Sequence, residues 1–73
     1  MRSLLYKALE SYLQGNIDKH VANVKLHAEA AVGVAEHPDT LETIEKELAI
    51  IAEYDDQLEM INKYFVKKDP FKQ

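Results

Sequence analysis

Two long segments of the chain repeat their apolar side chains every three or four residues, with one short interruption between them. The first stripe comprises Tyr6, Leu9, Leu13, Ile17, Val21, Val24, Ala28 and Ala31, and the second comprises Leu41, Ile44, Leu48, Ile51, Tyr54, Leu58, Ile61 and Phe65. Both spacings are close to the period of an α-helix and far from the period of a strand. The pattern predicts an all-α protein with one helix over about residues 3–32 and a second over about 40–66.

The interruption at residues 33–39 has the composition of a helix stop followed by a helix start. Gly33 suits a left-handed helix terminus, and Pro38 suits the first position of a new helix. Gly15 costs about 1 kcal/mol inside a helix, yet the first stripe keeps its phase across it. We therefore expect two continuous helices in an antiparallel hairpin over residues 1–66, followed by a basic tail at 67–73.

The first helix carries more apolar surface than one partner helix covers. A second stripe of Leu4, Leu5, Ala8 and Tyr12 lies beside the first. A chain of 73 residues without cysteine cannot be reinforced by a disulfide, and small scaffolds depend on such supports or on association. The sequence therefore predicts a homo-oligomeric helical bundle built from hairpins.

Charge is distributed unevenly along the chain, whose formal net charge is −4. Residues 1–35 sum to about +1, residues 36–65 to about −7 and the tail to about +2. Such a balance disfavours general nucleic-acid binding, which needs a concentrated basic face. No run approaches the roughly 20 apolar residues of a membrane span, and none resembles a signal peptide. We expect no membrane partner, and we expect an anionic ligand to choose the first helix or the tail.

A row of polar side chains follows the edge of the first apolar stripe. It comprises Asn16, Lys19, His20, Asn23 and His27. Amides and imidazoles at such a boundary can recognise a polar ligand, and a lysine can bind a phosphate. The alternative is that these side chains border the bundle and bond to water or to the facing helix. The row is the candidate ligand-binding site.

The sequence gives little indication of a metal site or a catalytic site. His20 and His27 are two helical turns apart, about 10 Å, so one ion cannot bridge them within a chain. The loop residues Glu36 and His37 lack a nucleophilic partner and are better explained by capping of the second helix. We therefore expect no catalytic residues, no metal and no cofactor.

The linker V-G-V-A-E-H-P-D at residues 32–39, together with N-K-Y-F at residues 62–65, resembles a group of short bacteriophage helical-hairpin proteins of uncharacterised function. The likeness covers roughly residues 4–65. Ala30, Ala31 and Ala35 differ from the Asn-Pro and Gly of that pattern. The architecture is also loosely similar to viral sponge proteins, which sequester cyclic-nucleotide immune signals in pockets between subunits.

These resemblances imply a non-enzymatic phage protein of the host cell cytoplasm that binds a cyclic oligonucleotide or related signal at subunit interfaces and so antagonises host defence. The alternative hypothesis is a phage structural or host-protein-binding bundle without a small-molecule ligand. A third and weaker hypothesis is an acidic mimic of DNA that uses the carboxylates of the second helix.

Overall fold

A computed structural model describes residues 2–31 and 38–66 as two α-helices and one π-helical turn. Helix α1 is Arg2–Ala31, helix α2 is Pro38–Ile61, and the π-helical turn is Asn62–Val66. The all-helical prediction is confirmed for this part of the chain, in which no strand occurs. The linker at 32–37 and the tail at 67–73 lie outside the described residues, so the predictions made for them stay predictions.

The boundaries follow from local sequence. Helix α1 continues through Gly15, as the unbroken phase of the apolar stripe predicts. Helix α2 begins at Pro38, two residues earlier than predicted. Proline fits there because the first amide of a helix has no intrahelical acceptor. Asp39 lies in the first turn of α2, where its negative charge is favourable at the positive end of the helix dipole.

The two helices pack against each other in antiparallel directions. Tyr6, near the start of α1, contacts Phe65 in the π-helical turn, and His20 of α1 contacts Glu47 of α2. The radius of gyration is 16.7 Å, compared with about 11 Å for a compact domain of this length. The molecule is therefore a two-helix rod rather than a globule around a central core.

The face of α2 that packs on α1 is rotated from the predicted stripe. Leu41 and Leu48, both assigned to that stripe, are 76% and 52% exposed. Most of the covered α2 residues instead follow gaps of four and three, and they include a glutamate. This series is Thr40, Ile44, Glu47, Ile51, Tyr54, Leu58 and Ile61, and Thr43 and Ile50 are also partly covered beside it. The prediction was wrong at Leu41 and Leu48 because it chose the apolar residue at each turn instead of following strict heptad spacing. Heptad spacing is what keeps one face of a helix on its partner.

The interior of the hairpin is small. Within the described residues only Leu13, Ile17 and Ile61 are buried apolar side chains. Both α1 residues belong to a second strict series, Tyr6, Glu10, Leu13, Ile17, His20 and Val24. We call this series and its counterpart on α2 the hairpin seam. Each helix thus contributes a polar side chain to the seam near its middle, His20 on one side and Glu47 on the other.

Candidate functional site

The polar layer of the hairpin seam is formed by His20, Asn23 and Glu47. Nδ1 of His20 lies 2.5 Å from Oε1 of Glu47, and Nδ2 of Asn23 donates to the same oxygen at 3.3 Å. The His20 and Glu47 side chains are only 14% and 16% exposed. Among the described residues, every side-chain hydrogen bond between the two helices ends on this one oxygen.

Tyr54 completes the layer one heptad beyond Glu47 on α2. Its ring stacks on the His20 imidazole with a centroid separation of 6.2 Å and an interplanar angle of 19°. The imidazole is therefore held by the Glu47 carboxylate at its edge and by an aromatic ring against its face. Contact on two sides restricts the orientation of the His20 ring. A polar side chain held in this way between two helices can set their register.

The environment of Glu47 favours its ionised form. The hydrogen bond from His20 is the largest influence and lowers the pKa of the Glu47 carboxyl. Burial acts in the opposite direction and is outweighed, because Asn23 also donates to the carboxylate and the positive potential of His20 and His27 adds to the effect. The layer is therefore built around a carboxylate, which explains why two donors converge on it.

The five residues of the predicted ligand site have three different surroundings in the structure. His20 and Asn23 are brought together by Glu47. Asn16 instead donates from Nδ2 to the backbone carbonyl of Tyr12, at 3.0 Å within its own helix. Lys19 and His27 are exposed on α1. Two of the five thus serve the contact with the facing helix, which is the alternative weighed for the row, and Lys19 remains open to a ligand.

Glu47 and Tyr54 were not predicted as members of this cluster, although the sequence contains a signal for Glu47. A series counted back from Ile61 in steps of three and four passes through Leu58, Tyr54 and Ile51 to Glu47. A charged residue at such a position faces the partner helix and requires a polar counterpart there. His20 occupies the matching position of the α1 series.

The chemistry open to this layer is hydrogen bonding and proton exchange. Across residues 2–31 and 38–66, no three His, Asp or Glu side chains are grouped so as to hold a metal ion. In the same residues no buried side-chain nitrogen or oxygen lacks a hydrogen-bond partner. The layer is thus internally satisfied and presents no unpaired buried group to a ligand.

A shallow groove lies at the end of the rod where α1 begins and the π-helical turn ends. Its floor includes the Tyr6 and Phe65 rings, whose centroids are 5.7 Å apart. The groove has a volume of about 410 Å³ and is open to solvent. Its lining residues are Ser3, Tyr6, Lys7, Glu10, Phe65 and Val66. It is an apolar depression with one charge of each sign at its edge.

Several large apolar side chains of the described residues are exposed to solvent. Over the first half of α1, Leu4, Leu5 and Tyr12 are each about two-thirds exposed, and Leu26 is similarly exposed near the other end. In the π-helical turn that follows α2, Tyr64 is also more than half exposed. Exposed apolar surface of this kind is typical of a place where another molecule binds.

Comparisons of the chain with protein-family models, with curated proteins and with solved structures give no match. In the part of the chain that the structure describes, neither helix has a stretch long and apolar enough to cross a membrane. The resemblance of the linker to phage proteins therefore stays a prediction, and function has to be inferred from the surface and the polar layer.

Proposed function

We propose that the protein is a non-catalytic interaction module that works as a homo-oligomeric helical bundle. The observation that carries the proposal comes from residues 2–31 and 38–66, in which three apolar side chains are buried and many large apolar side chains are left in solvent. Burial of apolar surface is the main favourable term in folding. A second copy of the chain presents the same apolar surface and can therefore cover it.

The small size of the single hairpin supports the same proposal. Domains of this size bury a low fraction of their surface, and those without disulfides or metals are commonly stabilised by association. Because the partner binds only the folded chain, association adds to the free energy of unfolding and makes the melting temperature depend on concentration. The proposal thus links oligomerisation to folding.

The test is thermal unfolding followed by circular dichroism over a wide range of protein concentration. We expect the melting temperature of the wild-type chain to rise with concentration. Leu26→Ser is expected to reduce this rise, whereas Leu41→Ser is a matched control on the other helix. A melting temperature that is independent of concentration for the wild type would contradict the proposal.

Sequestration of a small nucleotide at the interface between subunits is the second candidate, and the placement of Lys19 favours it. The Lys19 ammonium is exposed on α1, and the amides of Asn16 and Asn23 lie one turn away on either side of it. A subunit interface on this face would bring two such sets together around a phosphate group. The Glu47 carboxylate works against anion binding near Asn23, so a ligand would centre on Lys19 and Asn16. With such a ligand, we expect the protein to act in the host cell cytoplasm.

Calorimetric titration with a panel of cyclic dinucleotides and cyclic trinucleotides tests this candidate. If one of them binds, Lys19→Ala should weaken binding by about 10-fold or more, as expected for loss of a charged hydrogen bond. Lys25→Ala is the matched control, because Lys25 is an exposed lysine of the same helix on a different face. An absence of heat across the panel would leave the interaction module as the function.

A further inference from the structure

Helix α1 carries a further heptad series beside the hairpin seam, and of its members Asn23 also contacts α2 through Glu47. Leu5, Tyr12, Lys19 and Leu26 follow one another at intervals of seven residues, and all four are exposed. Leu9, Asn16 and Asn23 alternate with them, each four residues beyond a member of the first set. Gaps of four and three sustained over three heptads are the pattern of a helix that packs along a second helix. We call these seven residues the outer seam.

We propose that two copies of the chain associate through their outer seams, with the two α1 helices antiparallel and the two-fold axis passing beside Asn16. The inference rests on the proposed homo-oligomeric function and names the surface and the orientation that it uses. The occupant of the outer seam is thus a second copy of the same chain.

The order of residues in the outer seam is self-complementary in this arrangement. With the two-fold axis between Gly15 and Asn16, the numbers of facing residues sum to 31, so Leu5 lies opposite Leu26 of the partner subunit. In the same register Tyr12 lies opposite Lys19 of the partner subunit, where an ammonium over an aromatic ring is attractive. Each pairing occurs twice, as a two-fold interface requires. The two ends of the interface are apolar, and its centre is polar.

Two competing arrangements oppose like charges. A parallel pair in register places Lys19 against Lys19 of the partner subunit. An antiparallel pair shifted by one heptad toward the C-terminal end of α1 does the same. In the proposed register neither lysine faces the other, and the antiparallel direction also opposes the two helix dipoles favourably. A paired asparagine at the centre is a known means of fixing register at some cost in stability.

Small residues flank the outer seam on the side away from the hairpin seam. Ala8, Gly15 and Ala22 are exposed and again seven residues apart. A Cβ added at Gly15 would meet nothing within 4 Å in the single hairpin, so the hairpin itself gives no steric reason for a glycine that costs helix stability. Close approach of a second α1 helix supplies one, because Gly15 then lies beside the two-fold axis.

Charge directs the association to α1 rather than to α2. The exposed carboxylates of α2 are numerous, and they are Asp39, Glu42, Glu45, Glu53, Asp55, Asp56 and Glu59. Two α2 helices packed together would bring these like charges close, which is unfavourable. The outer seam of α1 contains no acidic residue. The α1 helices therefore meet at the centre, and the acidic α2 helices lie outside.

Single cysteines introduced into the full chain test the orientation, because the natural sequence contains none. We compare Ala8→Cys alone, Ala22→Cys alone and an equal mixture of the two under mild oxidation. The antiparallel register predicts that the mixture forms disulfide-linked dimers at least about 5-fold faster than either variant alone, since a disulfide needs Cα atoms within about 7 Å. Labelling one variant with ¹⁵N identifies the mixed dimer by mass. Asn16→Cys is expected to cross-link with itself, and Lys25→Cys, on another face of α1, is the control that should not.

The outcomes separate this inference from the function on which it rests. Self-linking of Ala8→Cys that equals or exceeds linking in the mixture would show parallel helices and overturn the inference. A wild-type chain that sediments as a dimer while neither the Ala8→Cys and Ala22→Cys mixture nor Asn16→Cys cross-links would also overturn it and leave the homo-oligomer standing. A wild-type chain that sediments as a monomer would overturn both.

Discussion

Leu13→Ala tests whether the hairpin seam, rather than the general apolarity of the helices, holds the fold together. Leu13 is 5% exposed and is one of three buried apolar side chains among the described residues. Truncation of a buried leucine to alanine costs about 2–5 kcal/mol, and the cost is lower where neighbouring groups can close the cavity. Because Leu13 lies between two helices near solvent, we expect about 2–3 kcal/mol.

That loss is large compared with the stability of the whole chain. Domains of this length unfold with a free energy of about 4–11 kcal/mol, so Leu13→Ala removes a substantial share of the total. The assay is urea unfolding followed by circular dichroism, with free energies obtained by linear extrapolation. Measurements at two protein concentrations separate the effect on the hairpin from any effect on association.

Leu48→Ala is the matched control for the same chemical change. The apolar stripe of the sequence puts Leu48 in the interior, whereas the structure leaves it 52% exposed. We expect Leu48→Ala to change the free energy of unfolding by no more than about 0.5 kcal/mol, as is usual for surface positions. Equal losses for Leu13→Ala and Leu48→Ala would refute the assignment of the hairpin seam.

The remaining predictions concern the polar layer and the outer seam. The pKa of the Glu47 carboxyl is held below its ordinary value of 4.5, chiefly by the hydrogen bond from His20. Its stabilising effect is therefore fully present above pH 4.5 and is lost as the pH falls through the lowered value. Urea unfolding across this range should show a shallower acid decline for Glu47→Gln than for the wild type, and an equal decline would contradict the role of the layer. Gly15→Ala should raise the free energy of hairpin unfolding by about 0.5–1 kcal/mol. Gly15→Leu should weaken dimer formation, measured by sedimentation. A Gly15→Leu dimer with the affinity of the wild type would argue against close approach of the two α1 helices. Leu26→Glu should raise the dimer dissociation constant by at least about 10-fold, since it removes apolar contact at both ends of a two-fold interface. The control Leu41→Glu should leave the dissociation constant unchanged. Similar effects of the two substitutions would place the interface elsewhere.

Much of the fold could be predicted from residue spacing. The period of the two stripes is sufficient for two helices, and Pro38 marks the start of the second because proline is tolerated there. The rotation of α2 about its axis was predicted less well. Leu48 and Glu47 are adjacent, so each choice gives a helical period, and only their contact with α1 decides between them.

The candidate site shows the same limit. The polar row on α1 could be recognised from the spacing of Asn16, His20 and Asn23, but their roles depend on what faces them. His20 and Asn23 bond to Glu47, which belongs to the other helix and lies 27 and 24 residues away along the chain. Asn16 bonds to its own backbone. Sequence spacing shows which side chains share a helical face. Which of these side chains form contacts depends on the residues of the facing helix.

Sedimentation equilibrium of the wild-type chain over a wide concentration range tests the central claim most directly, namely that copies share the apolar surface a single hairpin leaves in solvent. The chain has a mass of 8.4 kDa. The account predicts a weight-average mass that rises to at least twice this value as the concentration increases. A folded chain that keeps the mass of a single copy at the highest concentration would contradict it.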